Sequence, residues 1–190
     1  MPVEERREEY AYVLDFMPAG KSFSNKNEPV AQLIGDEWFT LLEVTPKPGV
    51  SMSLGERVYI GRAERDKVSL IKARIGFNDL TQTAKNELRR IVKLVVQTNE
   101  KRFVDVFNSA GSLNIRQHSL ELLPGIGKKH LEAILKARDE RKFESFDDIT
   151  NRVSLLQEPS KLISERIIME LEGKERFYMF TKPYVKKLRF

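Results

Sequence analysis

Leu123-Pro124-Gly125-Ile126-Gly127 breaks a helical pattern and lets it restart within five residues. Few backbones satisfy that demand. Proline has no N–H for the helical ladder, so an upstream helix ends beside it. Each glycine admits positive φ and leaves no side chain in the way of an approaching partner. The pattern resumes with Leu131, Ile134 and Leu135, at i, i+3 and i+4 on one helix face. The expectation is two helices joined by a tight turn, with Ile126 turned inward to pin it. A helix that starts near Gly127 presents unpaired N–H groups and a partial positive charge. Such an end accepts a phosphate oxygen without reading any base. Lys128, Lys129 and His130 occupy that first turn and are expected to meet solvent or neighbouring phosphates.

The same unit recurs. Leu122 to Leu135 lies over Leu155 to Ile168 at an offset of 33 residues, with apolar positions and a lysine (Lys128, Lys161) in common. Glu158 and Ser160 stand where the first copy has Gly125 and Gly127. The reading is two copies of one supersecondary unit, the second having lost its ligand-binding turn.

Leu123 to Gly127 resembles, without a gap, the signature of the helix-hairpin-helix: apolar residue, Pro, Gly, apolar residue, Gly, then a helix. Ala133 lies near the small residue that the signature expects. In that family the glycine turn binds DNA or RNA backbone, sometimes through a bound monovalent cation. The resemblance implies that role for Gly125, Ile126, Gly127, Lys128 and Lys129. A tandem pair with one degenerate copy is also typical of the family.

Upstream, the chain reads as β structure. Residues 1–27 form a charged lead-in within which Tyr10 to Phe16 suggests an edge strand. Val30–Gly35, Trp38–Val44, Leu54–Gly61 and Val68–Ile75 are short apolar runs bounded by glycine and Pro46-Lys47-Pro48-Gly49, a spacing that predicts a small closed barrel. Over 81–99 the period becomes helical, with Ala84, Leu88, Ile91, Val92 and Val95 on one face and Thr81 as N-cap. Lys85, Arg89 and Lys93 repeat every four residues there as a basic stripe. Helical spacing continues from Phe103 to Ala110. Residues 112–173 read as helices joined by short turns, 175–181 as a last strand returning to the barrel, and 182–189 as a basic tail.

The whole chain is similar to an uncharacterised archaeal family that joins an OB-type barrel to tandem helix-hairpin-helix units, the likeness running from Pro29 to the last strand. Members are predicted from their fold to bind RNA or DNA. The expected class is therefore α+β: a small OB-like barrel (28–111, with helix 81–99), an all-α tandem helix-hairpin-helix domain (112–173), and a C-terminal strand and tail (174–190). The barrel offers Trp38, Phe39 and Tyr59 as candidate base-stacking platforms, with core filling as the plainer role for Trp38 and Phe39.

Composition narrows the function. There are 33 basic and 28 acidic residues, a net charge of +5, which permits a polyanion partner without requiring one. Cysteine is absent and only His118 and His130 are histidines, which excludes thiolate chemistry and cysteine-ligated zinc and leaves no basis for a metal site. No apolar stretch reaches the roughly 18 residues of a membrane span, and the expected location is the cytoplasm.

One enzymatic alternative follows from glycosylases that carry this hairpin with a lysine after the turn and an aspartate downstream. Lys129 matches the first and Asp147 approaches the second. Here, however, β structure precedes the hairpin, and Asp147-Asp148-Ile149-Thr150-Asn151 is a different segment, whose aspartates are better read as a helix N-cap. The expectation is a non-catalytic protein that grips nucleic-acid backbone with little sequence preference, RNA favoured over DNA on the family likeness. It needs no cofactor beyond a monovalent cation at the turn. The alternative reading is an adaptor in a ribonucleoprotein or transcription complex.

Overall fold

A computed structural model describes residues 7–20 and 28–185. The chain is mixed α+β and divides into two units: one runs to Ile91 and resumes at Glu170, the other spans Val92–Met169.

The first unit is built on an antiparallel sheet of β1 (Tyr10–Met17), β2 (Val30–Gly35), β3 (Leu41–Pro46), β4 (Arg57–Tyr59) and β5 (Val68–Arg74), in the order β4-β1-β2-β3-β5. Register shifts interrupt β1 against β2 between Val13 and Asp15, and β3 against β5 at two points. Such bulges bend and twist a ladder, and the sheet curls into a half-barrel. It does not close: β4 and β5 are its two edges, and β4 is three residues long. The strand expected at the edge over Tyr10–Phe16 is instead flanked by β2 and β4. Its burial explains this, since Ala11, Val13 and Leu14 are fully buried and need cover on both sides.

One core cluster joins Ala11, Val13, Ala31, Leu33, Leu42 and Val44 to Met52, Val58, Ile60 and Val68. Every residue of β2 is buried, so its opposite face is covered too. On that face the Gln32 side chain donates to the Asp79 carbonyl at 3.0 Å and accepts from the Thr81 N–H at 2.9 Å. Thr81 caps α1 (Gln82–Thr98), its hydroxyl accepting from the Ala84 N–H at 3.0 Å and donating to Asp15 at 2.6 Å. A polar residue in an apolar strand thus fixes the start of the helix that covers it.

Two buried glutamates organise loops. Glu8 accepts the N–H groups of Glu37, Trp38 and Thr40; burial pushes its carboxyl pKa up, against these bonds. A Cβ at Gly35 would fall 1.9 Å from the Glu8 carboxyl carbon, so glycine is required there. Glu170, 2% exposed, accepts from the N–H groups of Met179, Phe180 and Thr181 at 2.7–3.0 Å. This overturns the strand expected over 175–181. Three consecutive N–H groups are spent on one carboxylate and none is left for a ladder. The segment does return to the sheet's unit, where Lys182 accepts from Arg74 at 2.6 Å. Residues 186–190 of the basic tail, like 1–6 and 21–27 of the lead-in, lie outside the described residues.

The second unit holds the C-terminal part of α1, α2 (Glu100–Ser109), a hairpin of β6 (Ser112–Asn114) and β7 (Gln117–His118), a 3-10 turn (Ser119–Leu122), then α3 (Lys128–Glu140), α4 (Phe146–Arg152) and most of α5 (Pro159–Glu172). The hairpin corrects the expectation of helix alone after 112. Its strands are short and exposed or half-buried, and a pair with no apolar run leaves no period to read. Phe103, Phe107, Leu120, Leu123, Ile134 and Ile149 are among the fully or almost fully buried side chains of this unit. The N-cap of α4 is Ser145, which accepts from the Asp148 N–H at 3.0 Å. The aspartates expected to cap are in the first turn, where their charge suits the helix dipole.

Candidate nucleic-acid interface

The turn before α3 has the geometry that its residue types demand. Leu123 is buried and its N–H closes on Leu120; the Ile126 N–H closes on Leu123 at 3.2 Å. Gly125 takes φ +84°, left-handed backbone that favours glycine. Ile126 is 6% exposed. It anchors the turn as expected, but its buried side chain and its bonded N–H exclude it from direct contact with a ligand, which corrects its place in the predicted site.

Gly127 differs from Gly125. Its φ of −97° and ψ of −174° are open to any residue, and a Cβ there would meet nothing within 4 Å. Nothing in the fold therefore requires glycine at this position. The first carbonyl used by α3 is that of Gly127, which accepts from Leu131 at 2.9 Å. Among the described residues the N–H groups of Gly127, Lys128, Lys129 and His130 find no partner. Gly125, Gly127, Lys128 and Lys129 are exposed. The helix entry is thus an open edge of unpaired donors, floored by Ile126.

The charges around it are unequal. The Lys129 side chain makes no ion pair or hydrogen bond among the described residues. Lys128 pairs with Glu121 at 2.8 Å and reaches the Arg116 carbonyl at 3.4 Å. The Glu121 carboxyl is held below its usual range by the His118 N–H and then by Lys128. The charge of Lys128 is therefore partly compensated within the protein. His130 is half-buried, and its Nε2 lies 3.1 Å from the Leu155 carbonyl, so it braces the second repeat and does not face a phosphate.

The second turn keeps the shape of the first. Glu158 has φ +50°, and the Leu156 N–H closes on Val153 as Leu123 closes on Leu120. It lacks the open donors: the N–H groups of Lys161 and Leu162, equivalent to Lys128 and Lys129, close on the Glu158 carbonyl at 2.9 and 3.3 Å, and the Glu158 carboxylate meets Lys161 at 3.4 Å.

Most of the remaining predicted residues are engaged with other side chains. On α1, Lys85 places Nζ 5.3 Å from the centre of the Phe77 ring, and Arg89 meets Glu172 at 3.9 Å. Lys93 is exposed and its side chain has no partner among the described residues. The stripe exists as helical geometry, but two of its three cations are engaged. Tyr59 is half-buried, packs edge-on to Tyr10 with centroids 5.2 Å apart, and accepts the Ala63 N–H at its hydroxyl. It braces β1 and β4. Phe39 is fully buried with φ +54° and Trp38 is half-buried on the loop held by Glu8.

Residues that the sequence reading passed over include Tyr10, 37% exposed with Arg57 stacked 3.7 Å from its ring centre, and the hairpin tip Ile115-Arg116. Neither has a periodic signal. Asp148 is occupied with Arg141, Arg152 and the Glu144 N–H. Its carboxyl sits below its usual range: burial works against that shift, and these hydrogen bonds and charges outweigh it. Among the described residues no cluster of three or more potential metal ligands occurs and no helix is long and apolar enough to cross a membrane.

A family model described as "Protein of unknown function (DUF655)" matches residues 7–182. An uncharacterised protein of Methanocaldococcus jannaschii, MJ0038, is 42% identical over 180 residues, covering 94% of this chain and 82% of that protein. The crystal structure of Af1531 from Archaeoglobus fulgidus, described under the same family model, aligns with a TM-score of 0.85 and 46% identity over 92% of this chain and all of that one.

Proposed function

The chain belongs to the DUF655 family, and from that premise we propose that it is a non-catalytic nucleic-acid-binding protein that holds a sugar-phosphate backbone at the entry of α3. In this reading 120–140 is the ligand-competent member of a tandem helix-hairpin-helix pair, and the curled sheet of the first unit is an OB-like half-barrel. RNA is the favoured polymer on the family likeness, and a monovalent cation bridging the turn to a phosphate is compatible with its carbonyls.

One observation carries the reading. At Gly127 the backbone is unstrained and the space beside it is empty, yet the residue is the one that gives a helix end no side chain. Serine or aspartate caps a helix slightly better than glycine. The fold gains nothing from glycine here, whereas a backbone approaching four open N–H groups does. The unpaired Lys129 supports it, supplying an uncompensated charge beside them.

The test separates folding from binding. Gly127→Asp adds a capping oxygen and a negative charge at a helix N-terminus, which together stabilise by a few tenths to about 1 kcal/mol. The variant is expected to melt at or above the parent temperature while losing binding to labelled single-stranded and duplex RNA and DNA. Parent affinity should fall steeply with salt. Undiminished affinity in Gly127→Asp overturns the reading. A parent protein that binds no polynucleotide at low salt but retains a protein partner would move the assignment to the adaptor class.

A further inference from the structure

The hairpin β6–β7 ends in a two-residue turn, Ile115-Arg116, between the paired residues Asn114 and Gln117. Turns of this kind favour asparagine and glycine because their central residues need positive φ or local hydrogen bonds. Asn114 meets that demand, its side chain accepting the Arg116 N–H at 2.9 Å. Ile115 does not serve the turn. It is fully exposed, the most exposed large apolar residue described, and Leu113 on the same hairpin is 39% exposed. Single exposed apolar residues are ordinary on protein surfaces; the placement of this one is what sets it apart.

The tip is tied to the glycine turn. Lys128, the first residue of α3, reaches the Arg116 carbonyl at 3.4 Å and Glu121 at 2.8 Å. Glu121 in turn accepts the His118 N–H at 2.8 Å at the end of β7. Across the base of the hairpin, Ser119 donates both its N–H and its hydroxyl to the Gly111 carbonyl, at 2.9 and 2.7 Å. The exposed Arg116, next to Ile115 in the chain, is therefore tied through its carbonyl to the side chain of Lys128 at the helix entry. An apolar point and a cation on a braced hairpin, next to an anion grip, match the chemistry of a side chain that enters between stacked bases while the backbone is held outside.

We propose that Ile115 is a wedge that enters and partly unstacks a base step of a helical nucleic acid whose backbone is held at the α3 entry. This rests on the function proposed above. It assigns to the molecule a preference for helical segments that open easily, such as a mismatch, a junction or the end of a stem, where unstacking costs least.

The experiment uses the full chain and duplexes, of RNA and of DNA, that carry a single 2-aminopurine at successive positions, with matched and mismatched versions. The parent protein is expected to raise the probe's fluorescence at one or two adjacent positions, and to bind the mismatched duplex more tightly than the matched one. Ile115→Ala is expected to lose most of the fluorescence rise and to weaken binding by about fivefold, the low end of what an aromatic side chain stacked on a base contributes, while keeping the parent's salt dependence because no phosphate contact is lost. Ile115→Met should restore the signal. Ile115 is exposed, so these variants keep the fold. Salt-dependent binding by the parent with no fluorescence change at any position overturns the wedge and leaves the backbone grip standing. An Ile115→Ala variant that keeps the full fluorescence rise does the same. Absence of binding by the parent overturns both.

Discussion

Glu158 holds φ at +50° where Gly125, 33 residues earlier, holds +84°. The two turns share a backbone although they share none of the chemistry that makes the first one easy. The correspondence extends to their surroundings. His130 of α3 reaches the Leu155 carbonyl, and Arg166 of α5, only 2% exposed, reaches that of Leu122 at 3.1 Å. Leu122 and Leu155 are equivalent positions of the repeat, so each copy braces the other at the same carbonyl.

This relationship predicts opposite responses to exchange at the two turns. Left-handed backbone costs a residue with a Cβ about 1–2 kcal/mol, offset in part by the greater freedom of glycine in the unfolded chain. Gly125→Ala is expected to destabilise by about 1 kcal/mol, and Glu158→Gly to be neutral or stabilising by up to about 1 kcal/mol. Urea denaturation of the two variants checks both signs. Destabilisation by Glu158→Gly would show that the glutamate side chain outweighs its backbone strain.

The two lysines of the α3 entry should differ. Lys129 has no partner among the described residues and Lys128 is engaged with Glu121. If both approach phosphate, Lys129→Ala should reduce the slope of log affinity against log salt by about 1, and Lys128→Ala by less. Equal slopes for the two variants would mean that ligand binding pulls Lys128 from Glu121.

Glu170 carries the C-terminal segment on three N–H groups. Glu170→Gln leaves at least one of them facing an amide donor, and a buried donor without a partner costs about 1–3 kcal/mol. The expected result is a lower melting temperature and early proteolytic cleavage within 174–182. Resistance equal to the parent's would show that Phe180, 6% exposed, suffices to dock the segment.

His118 predicts a pH dependence. Burial, then the charge of Arg138, holds its imidazole pKa below the ordinary value of about 6.5. Its Nδ1 accepts the Leu120 N–H at 3.2 Å and must be unprotonated to do so. A depressed folded pKa means that the unfolded chain takes up the proton first. The stabilisation is complete above about 6.5, the unfolded value, and is lost as pH falls from there through the lower folded value. His118→Asn, which keeps an acceptor for Leu120, should flatten the melting-temperature profile between about pH 8 and 5.5. A profile as steep as the parent's would assign the dependence to other groups.

Sequence alone determined the turn. Pro124 and Gly125 are dictated by backbone chemistry that acts over a few residues, and the inward Ile126, the helix starting at Lys128 and the repeat at 155–168 follow from local periodicity. The strand runs and the Thr81 cap were legible for the same reason: each is a short-range preference with a period of its own. Only the tertiary structure decided how the polar groups were spent. Whether Lys128 meets a ligand or Glu121, whether His130 faces solvent or Leu155, and whether 175–181 forms a strand or gives its last N–H groups to a carboxylate from α5 depend on partners that are distant in the chain or on turns with no period. The same holds for the position of β1 inside the sheet, which needed a third strand, β4, to arrive from residue 57. Backbone preference is written locally, while the pairing of charges and of buried N–H groups is a competition among all groups that the fold brings within reach, and the order of residues along a chain does not record its outcome.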